Sequence, residues 1–139
     1  MISDKHGIPL VIAVGPANQR DEELVEPMLK QFPPLPDREG KKRKKPKALQ
    51  GDRAYGFPYI IKLLVRLVIG SLLAVRGSPH GSGLGKTRYV IERTMAWLGE
   101  YRRLKVCYER TGARFRGFHV LAACVICSNR LQQTRRRRL

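Results

Sequence analysis

Acidic residues are scarce here: 11 Asp+Glu stand against 28 Lys+Arg in 139 residues, leaving a net charge of +17. A surplus of that size selects for a polyanionic partner, with nucleic acid first and an anionic membrane face second. Cysteine is scarce too. Three thiols, an odd number, exclude a disulfide framework and suit a reducing compartment. Cys124 and Cys127 form one C-x-x-C, and only Cys107 and His119 could complete a zinc set, so packed helix cysteines are the expected reading. Long apolar runs are missing. The most apolar stretch, Ile60 to Val75, is broken by Lys62, Arg66 and Gly70 and falls short of the roughly 20 residues of a membrane span. MISDKHGIPL has no charged leader or long apolar segment. The expectation is a cytoplasmic, nucleoid-associated protein with no membrane partner. The phosphate-loop pattern also fails, because GSGLGKT at 81–87 would need its first glycine at His80.

The charge is uneven. From Lys86 onward there are 14 Lys+Arg and 3 Asp+Glu, whereas the first forty residues are close to balanced. The basic half is the expected binding face, helped by the block Lys41, Lys42, Arg43, Lys44, Lys45, read as part of a solvated loop over 37–47 that contacts phosphates.

Element order follows from pattern. Asp4 to Gly7 reads as a turn between short strands, and Glu22 to Phe32 as a helix capped near Asp21 and stopped by Pro33, Pro34 and Pro36. Ala48 to Gly51 reads as a strand ending at Asp52, Pro58 to Val68 as a helix, and Ser71 to Val75 as a strand. A helix from about Gly85 follows a linker at 77–84; the last helix runs from Ala113 to Leu131, and 132–139 forms a basic disordered tail. This alternation predicts an α/β domain with parallel strands. Ligands gather at the carboxyl ends of such strands, which is where Asp52 stands, although a capping aspartate is the plainer reading.

The run RYVIERTMAWLGEYRRL from Arg88 to Leu104 places Glu92 among Arg88, Arg93, Arg102 and Arg103. An acid so surrounded makes ion pairs or holds a metal near phosphate. Arg-before-Glu at four residues is the weaker ion-pair orientation, worth only tenths of a kcal/mol.

Those residues carry a resemblance. R-Y-V-I-E-R-T-M-A-W-L-G-E-Y-R-R-L resembles the terminal signature of bacterial insertion-sequence DDE transposases. Asp4, Gly7, Pro9, Asn18 and Asp21 match the family's D-x-x-G-x-P and A-N-x-x-D segments, and GDRAYG at 51–56 its A-D-x-x-Y-D, with Gly56 replacing an acid. The resemblance implies an incomplete ribonuclease-H-like fold over 1–131, with a mixed sheet, flanking helices and a carboxyl-terminal helical extension. It implies DNA transposition, with Asp52 and Glu92 as catalytic and metal-binding carboxylates for Mg²⁺ or Mn²⁺. Arg88 would meet phosphate, with Arg93, Arg102 and Arg103 as further DNA contacts. The family's tyrosine before Arg88 is Gly85 and its lysine after Glu92 is Gly99. The family's first aspartate lies on an earlier strand, so Asp4 matches a turn position instead. The implied partners are transposon-end and target DNA, and a homodimer or an amino-terminal transposase half, the latter able to supply the first aspartate; weak metal binding and no cutting are expected of this chain alone. The alternative is a small basic nucleic-acid-binding protein without catalysis.

Overall fold

Asp4 makes the first turn. Its Oδ1 accepts from the backbone N–H groups of His6 and Ile8 at 2.9 and 2.8 Å, and Gly7 follows at φ +82°. The hairpin so formed pairs β1 (Ile2–Ser3) with β2 (Pro9–Val11) antiparallel. This computed structural model describes residues 1–37, 39–73 and 85–137, without the side chains of 85–88. The expected linker at 77–84 and the end of the expected strand at Ala74 and Val75 lie outside the described residues. The chain forms two compact units: Met1–Pro16 with Tyr89–Leu139, and Ala17–Arg88.

In the first unit the hairpin is held by α3 (Gly85–Gly99), which belongs to this unit from Tyr89 onward. Thr94 is completely buried, and its Oγ1 lies 2.8 Å from the Gly7 carbonyl and 2.9 Å from that of Val90. A Cβ at Gly7 would stand 2.6 Å from that oxygen, so the position tolerates only glycine. After α3 come α4 (Arg102–Lys105) and α5 (Gly112–Arg136), the latter capped by Thr111, whose Oγ1 accepts from Arg114 N–H at 3.4 Å. Leu98, Ala122 and Ile126 make a small buried cluster, with Met1, Trp97, Tyr101 and Leu104 packed on it. Arg116 Nε donates to the Ile12 carbonyl at 3.0 Å and ties α5 to the strand end.

α5 continues to Arg136, past the Leu131 boundary and into the stretch read as a disordered tail. No Gly or Pro follows Gly117 to stop it. Its last turns are braced by Arg130 with Gln133 at 3.2 Å and by Thr134 Oγ1 donating to the Arg130 carbonyl at 2.9 Å. Cations at a helix carboxyl end also match its dipole.

In the second unit, the helix expected over Glu22 to Phe32 divides into a 3₁₀ turn, Asp21–Leu24, and α1 (Val25–Lys30). Pro27 lacks an N–H and fits only within the first turn of an α-helix, where a start at Val25 places it. Arg20 and Leu24 occupy the cap positions and neither makes a side-chain capping bond, so Asp21 does not cap. Val25, Met28, Leu29 and Phe32 are buried as their spacing predicts.

The basic stretch 37–47 is not simply a loop. β3 (Leu35–Pro36) pairs antiparallel with β4 (Lys42–Arg43). Asp37 organises the turn: Oδ1 accepts from Glu39 and Lys41 N–H at 3.0 and 2.9 Å, and Oδ2 pairs with Arg43 Nε at 3.2 Å. One local carboxylate therefore turns part of a cationic block into a hairpin.

β5 (Ala48–Gly51), α2 (Pro58–Arg66) and β6 (Gly70–Leu73) form the predicted parallel unit, in register from Ala48↔Gly70 to Gly51↔Leu73. Ile60, Leu63 and Leu64 on α2 and Ile69 beyond it are buried. The helix ends in a Schellman arrangement, with Ile69 N–H donating to Leu64 O and Val68 N–H to Val65 O, both at 2.9 Å. Val68 takes the left-handed position usually given to glycine, at φ +57°.

The single mixed sheet expected from the sequence is replaced, among the described residues, by three two-stranded sheets, β1–β2, β3–β4 and β5–β6. The antiparallel pairs are two and three residues long, and Pro9 and Pro36 withhold ladder donors, so neither grows into a larger sheet. The α/β class stands.

Candidate catalytic carboxylates and nucleic-acid interface

Asp52 lies where β5 hands over to a short 3₁₀ turn, Arg53–Tyr55. It is exposed, and its Oδ1 accepts from Arg53 N–H at 2.6 Å, so the capping geometry read from sequence is present. The same carboxylate also stands at the carboxyl end of a parallel strand, the position where α/β sheets gather ligands. The surroundings are acidic: burial, then the charges of Asp21, Glu22 and Asp52, push the Tyr55 phenol above its ordinary value. This grouping of Asp21 and Glu22 about Tyr55 with Asp52 was not evident from sequence. The signal was Asp21 in the A-N-x-x-D segment, whose charge is felt at Tyr55.

Glu92 sits on α3 in the other unit and is exposed. The Arg88 side chain lies outside the described residues. Arg93 is turned to structural use, since its Nη2 donates to the His6 carbonyl at 2.8 Å and its guanidinium lies 5.3 Å from the Tyr89 ring and 5.0 Å from that of Trp97. Arg130 covers Trp97 as well, at 4.2 Å. Arg103 pairs with Glu109 at 3.2 Å and stacks on Phe118 at 4.8 Å. Arg102 is exposed at the start of α4.

In the basic block, Arg43 is bound to Asp37, and Lys45 Nζ donates to the Leu67 carbonyl at 2.8 Å. Lys41, Lys42 and Lys44 are exposed cations beside them. Five consecutive basic residues are thus divided between structure and solvent by partners up to 22 residues away.

The donor set does not by itself fit a divalent metal cage. Asp4 spends Oδ1 on two backbone N–H groups, Asp52 shares its carboxylate with Arg53, and no group of three or more His, Cys, Asp or Glu suited to an ion occurs among the described residues. Cys107 and Cys124 are exposed and Cys127 half-buried, all three as free thiols. Burial, then Cys124 and Asp4, raise the Cys127 thiol above its ordinary value, which disfavours the thiolate a metal needs.

A strand-end aspartate in GDRAYG and a glutamate on an Arg-rich helix are the two segments on which the family comparison bears. Residues 1–127 match the transposase DDE domain model, and the chain belongs to that family. The transposase assigned to insertion sequence element IS402 of Burkholderia cepacia is 35% identical over 133 residues, 96% of this chain. The chain spans 63% of that relative's length. No solved structure matches it. Among the described residues no helix is long and apolar enough to cross a membrane.

Proposed function

We propose that this chain acts in DNA transposition, binding transposon-end and target DNA through its basic surfaces, and that it does not cut DNA by itself. Membership of the DDE transposase family is the observation that carries this reading. The net charge of +17 supports it, since phosphate contacts by Lys and Arg dominate such affinity. In this reading the fold is ribonuclease-H-like, and Asp52 and Glu92 are two of the acidic residues of the strand-transfer chemistry. Arg102, Lys41, Lys42 and Lys44 are the exposed cations that meet phosphate, with Arg88 beside Glu92 in sequence.

Phosphoryl transfer with two Mg²⁺ needs carboxylates that bridge the ions. Asp52 and Glu92 are too few for that, and Asp4 is committed to its turn. At most one weakly held Mg²⁺ is expected. A further carboxylate would be needed to complete such a pair of ions.

The test uses fluorescently labelled duplex DNA carrying transposon ends, at several salt concentrations, followed by incubation with Mn²⁺. Binding should weaken steeply with salt and no strand should be cut. Failure to bind overturns the DNA-binding reading; cleavage abolished by both Asp52→Asn and Glu92→Gln overturns the inactivity. A second reading, a basic nucleic-acid-binding module in which both acids are structural, is favoured by the capping bond of Asp52. It requires Mn²⁺ affinity to be unchanged in Glu92→Gln.

A further inference from the structure

The first unit contains an open groove of about 680 Å³, lined by Arg103, Glu109 and the early turns of α5, including Arg114, Phe118 and Leu121. That volume lies in the range of ordinary ligand sites. Three kinds of surface meet there. Arg103 places its guanidinium over the Phe118 ring at 4.8 Å while its side chain remains 55% exposed. Leu121 and Val120 are apolar and yet 61% and 41% exposed. Arg114, exposed on the first turn of α5, adds positive charge.

Glu109 explains why Arg103 holds this position. Its side chain is 10% exposed, and its Oε1 lies 3.2 Å from Arg103 Nη2, close enough for an ion pair but outside hydrogen-bonding geometry. A carboxylate so buried anchors the guanidinium electrostatically over the ring. Ion pairing alone would leave the apolar wall without a purpose.

We infer that this groove takes an unpaired nucleotide, with the base stacked on the Arg103–Phe118 platform against Leu121 and the neighbouring phosphate met by Arg114. Single-stranded nucleic acid is bound by this combination of stacking platform and cationic rim, and a guanidinium plane serves as a stacking surface as an aromatic ring does. Charge complementarity decides against a second copy of the chain as occupant, because each copy would bring +17. The inference deepens the DNA-binding reading and rests on it.

The experiment measures fluorescence anisotropy of the full chain with three labelled probes of about 12 nucleotides: oligo(dT), an abasic strand of the same length, and a duplex. Oligo(dT) should bind at least tenfold more tightly than the abasic strand, which offers phosphates without bases. Arg103→Lys keeps the charge and loses the plane, and should weaken oligo(dT) about tenfold while leaving the duplex within about twofold. Leu121→Ser, at an exposed position, should do the same to a smaller degree and guards against a folding defect in the first variant. Equal affinity for oligo(dT) and the abasic strand, or variants that weaken both DNA forms alike while the chain stays folded, overturns the groove. Loss of every probe, duplex included, instead overturns the DNA-binding reading itself.

Discussion

The two units are held together by different chemistry. The second, Ala17–Arg88, closes on aliphatic side chains whose spacing is visible in the sequence: Val25, Met28 and Leu29 on α1, Ile60, Leu63 and Leu64 on α2. The first joins segments far apart in the chain through side chains that donate to backbone carbonyls: Arg93 to His6, Thr94 to Gly7 and Arg116 to Ile12. Its buried apolar residues, Ile2, Val11 and Ile12 near the hairpin and Leu98, Ala122 and Ile126 on the helices, come from both ends of the chain. The difference teaches that directional bonds from side chains to backbone carbonyls can fix which distant segments meet beside an apolar core, and that such bonds leave almost no periodic trace. It also accounts for the fate of Arg93. A residue that looks like a DNA contact in the sequence also holds the hairpin.

The sharpest way to break this comparison is Leu64→Ala. Leu64 has no exposed surface, and its truncation should cost about 2–5 kcal/mol. Hydrogen exchange should show α2 and β6 amides opening far sooner, with the Trp97 emission of the first unit little changed at low denaturant. Simultaneous loss of both signals would mean that the units are one cooperative block.

Next in size is Thr94→Val, which keeps the shape and leaves the Gly7 carbonyl without its donor. The expected loss is about 1–3 kcal/mol, read from the denaturant midpoint of Trp97 fluorescence. If the midpoint does not move, the polar account of the first unit is wrong. A smaller effect of opposite sign is expected at Val68. Its φ of +57° strains a β-branched residue, so Val68→Gly should raise the thermal stability of the second unit by about 1 kcal/mol. A decrease would show that the strain is relieved elsewhere.

The smallest effect concerns pH. The Arg43 hydrogen bond, with Lys41 and Glu39 N–H, holds the Asp37 carboxyl below its ordinary value despite some burial. Its folded value lies below the unfolded value of roughly 3.9. The β3–β4 hairpin is therefore favoured above that pH and loses this contribution as pH falls through the depressed value. Acid titration followed by NMR should show hairpin shifts moving below pH 4, and Asp37→Asn should abolish that dependence. An unchanged titration in the variant would assign it to another carboxylate.

Much of the framework was legible because it is local. The Asp4 to Gly7 turn, the Ala48–Gly51 strand ending at Asp52, and α2 and β6 all follow from turn residues and short-range periodicity. The hairpin within the basic block was not, because five cations in a row mask the effect of a single aspartate at 37. The division of α1 was legible in principle, since Pro27 confines the helix start to within a turn of itself. The reach of α5 to Arg136 was missed because a run of arginines reads as a solvated tail, although nothing in it breaks a helix.

For the candidate site the division is similar. Asp52 at a strand end and Glu92 on an Arg-rich helix could be named from sequence, and the family signature around Glu92 placed the chain among DDE transposases before any geometry was known. The positions of Arg93 and Arg103 could not be foreseen, because charge is visible in a sequence while its partner is not.

By itself the sequence determined the charge surplus, the family, the two candidate carboxylates and the parallel β5–α2–β6 unit, all of which depend on composition, motif or neighbours within a few turns. Only the tertiary structure decided that Arg93 holds a hairpin, that three small sheets replace one among the described residues, and that Arg103 lies over Phe118. Each of those depends on which donor meets which acceptor or ring once the chain has closed. Hydrogen bonds and stacking select by angle and distance, which no linear pattern carries.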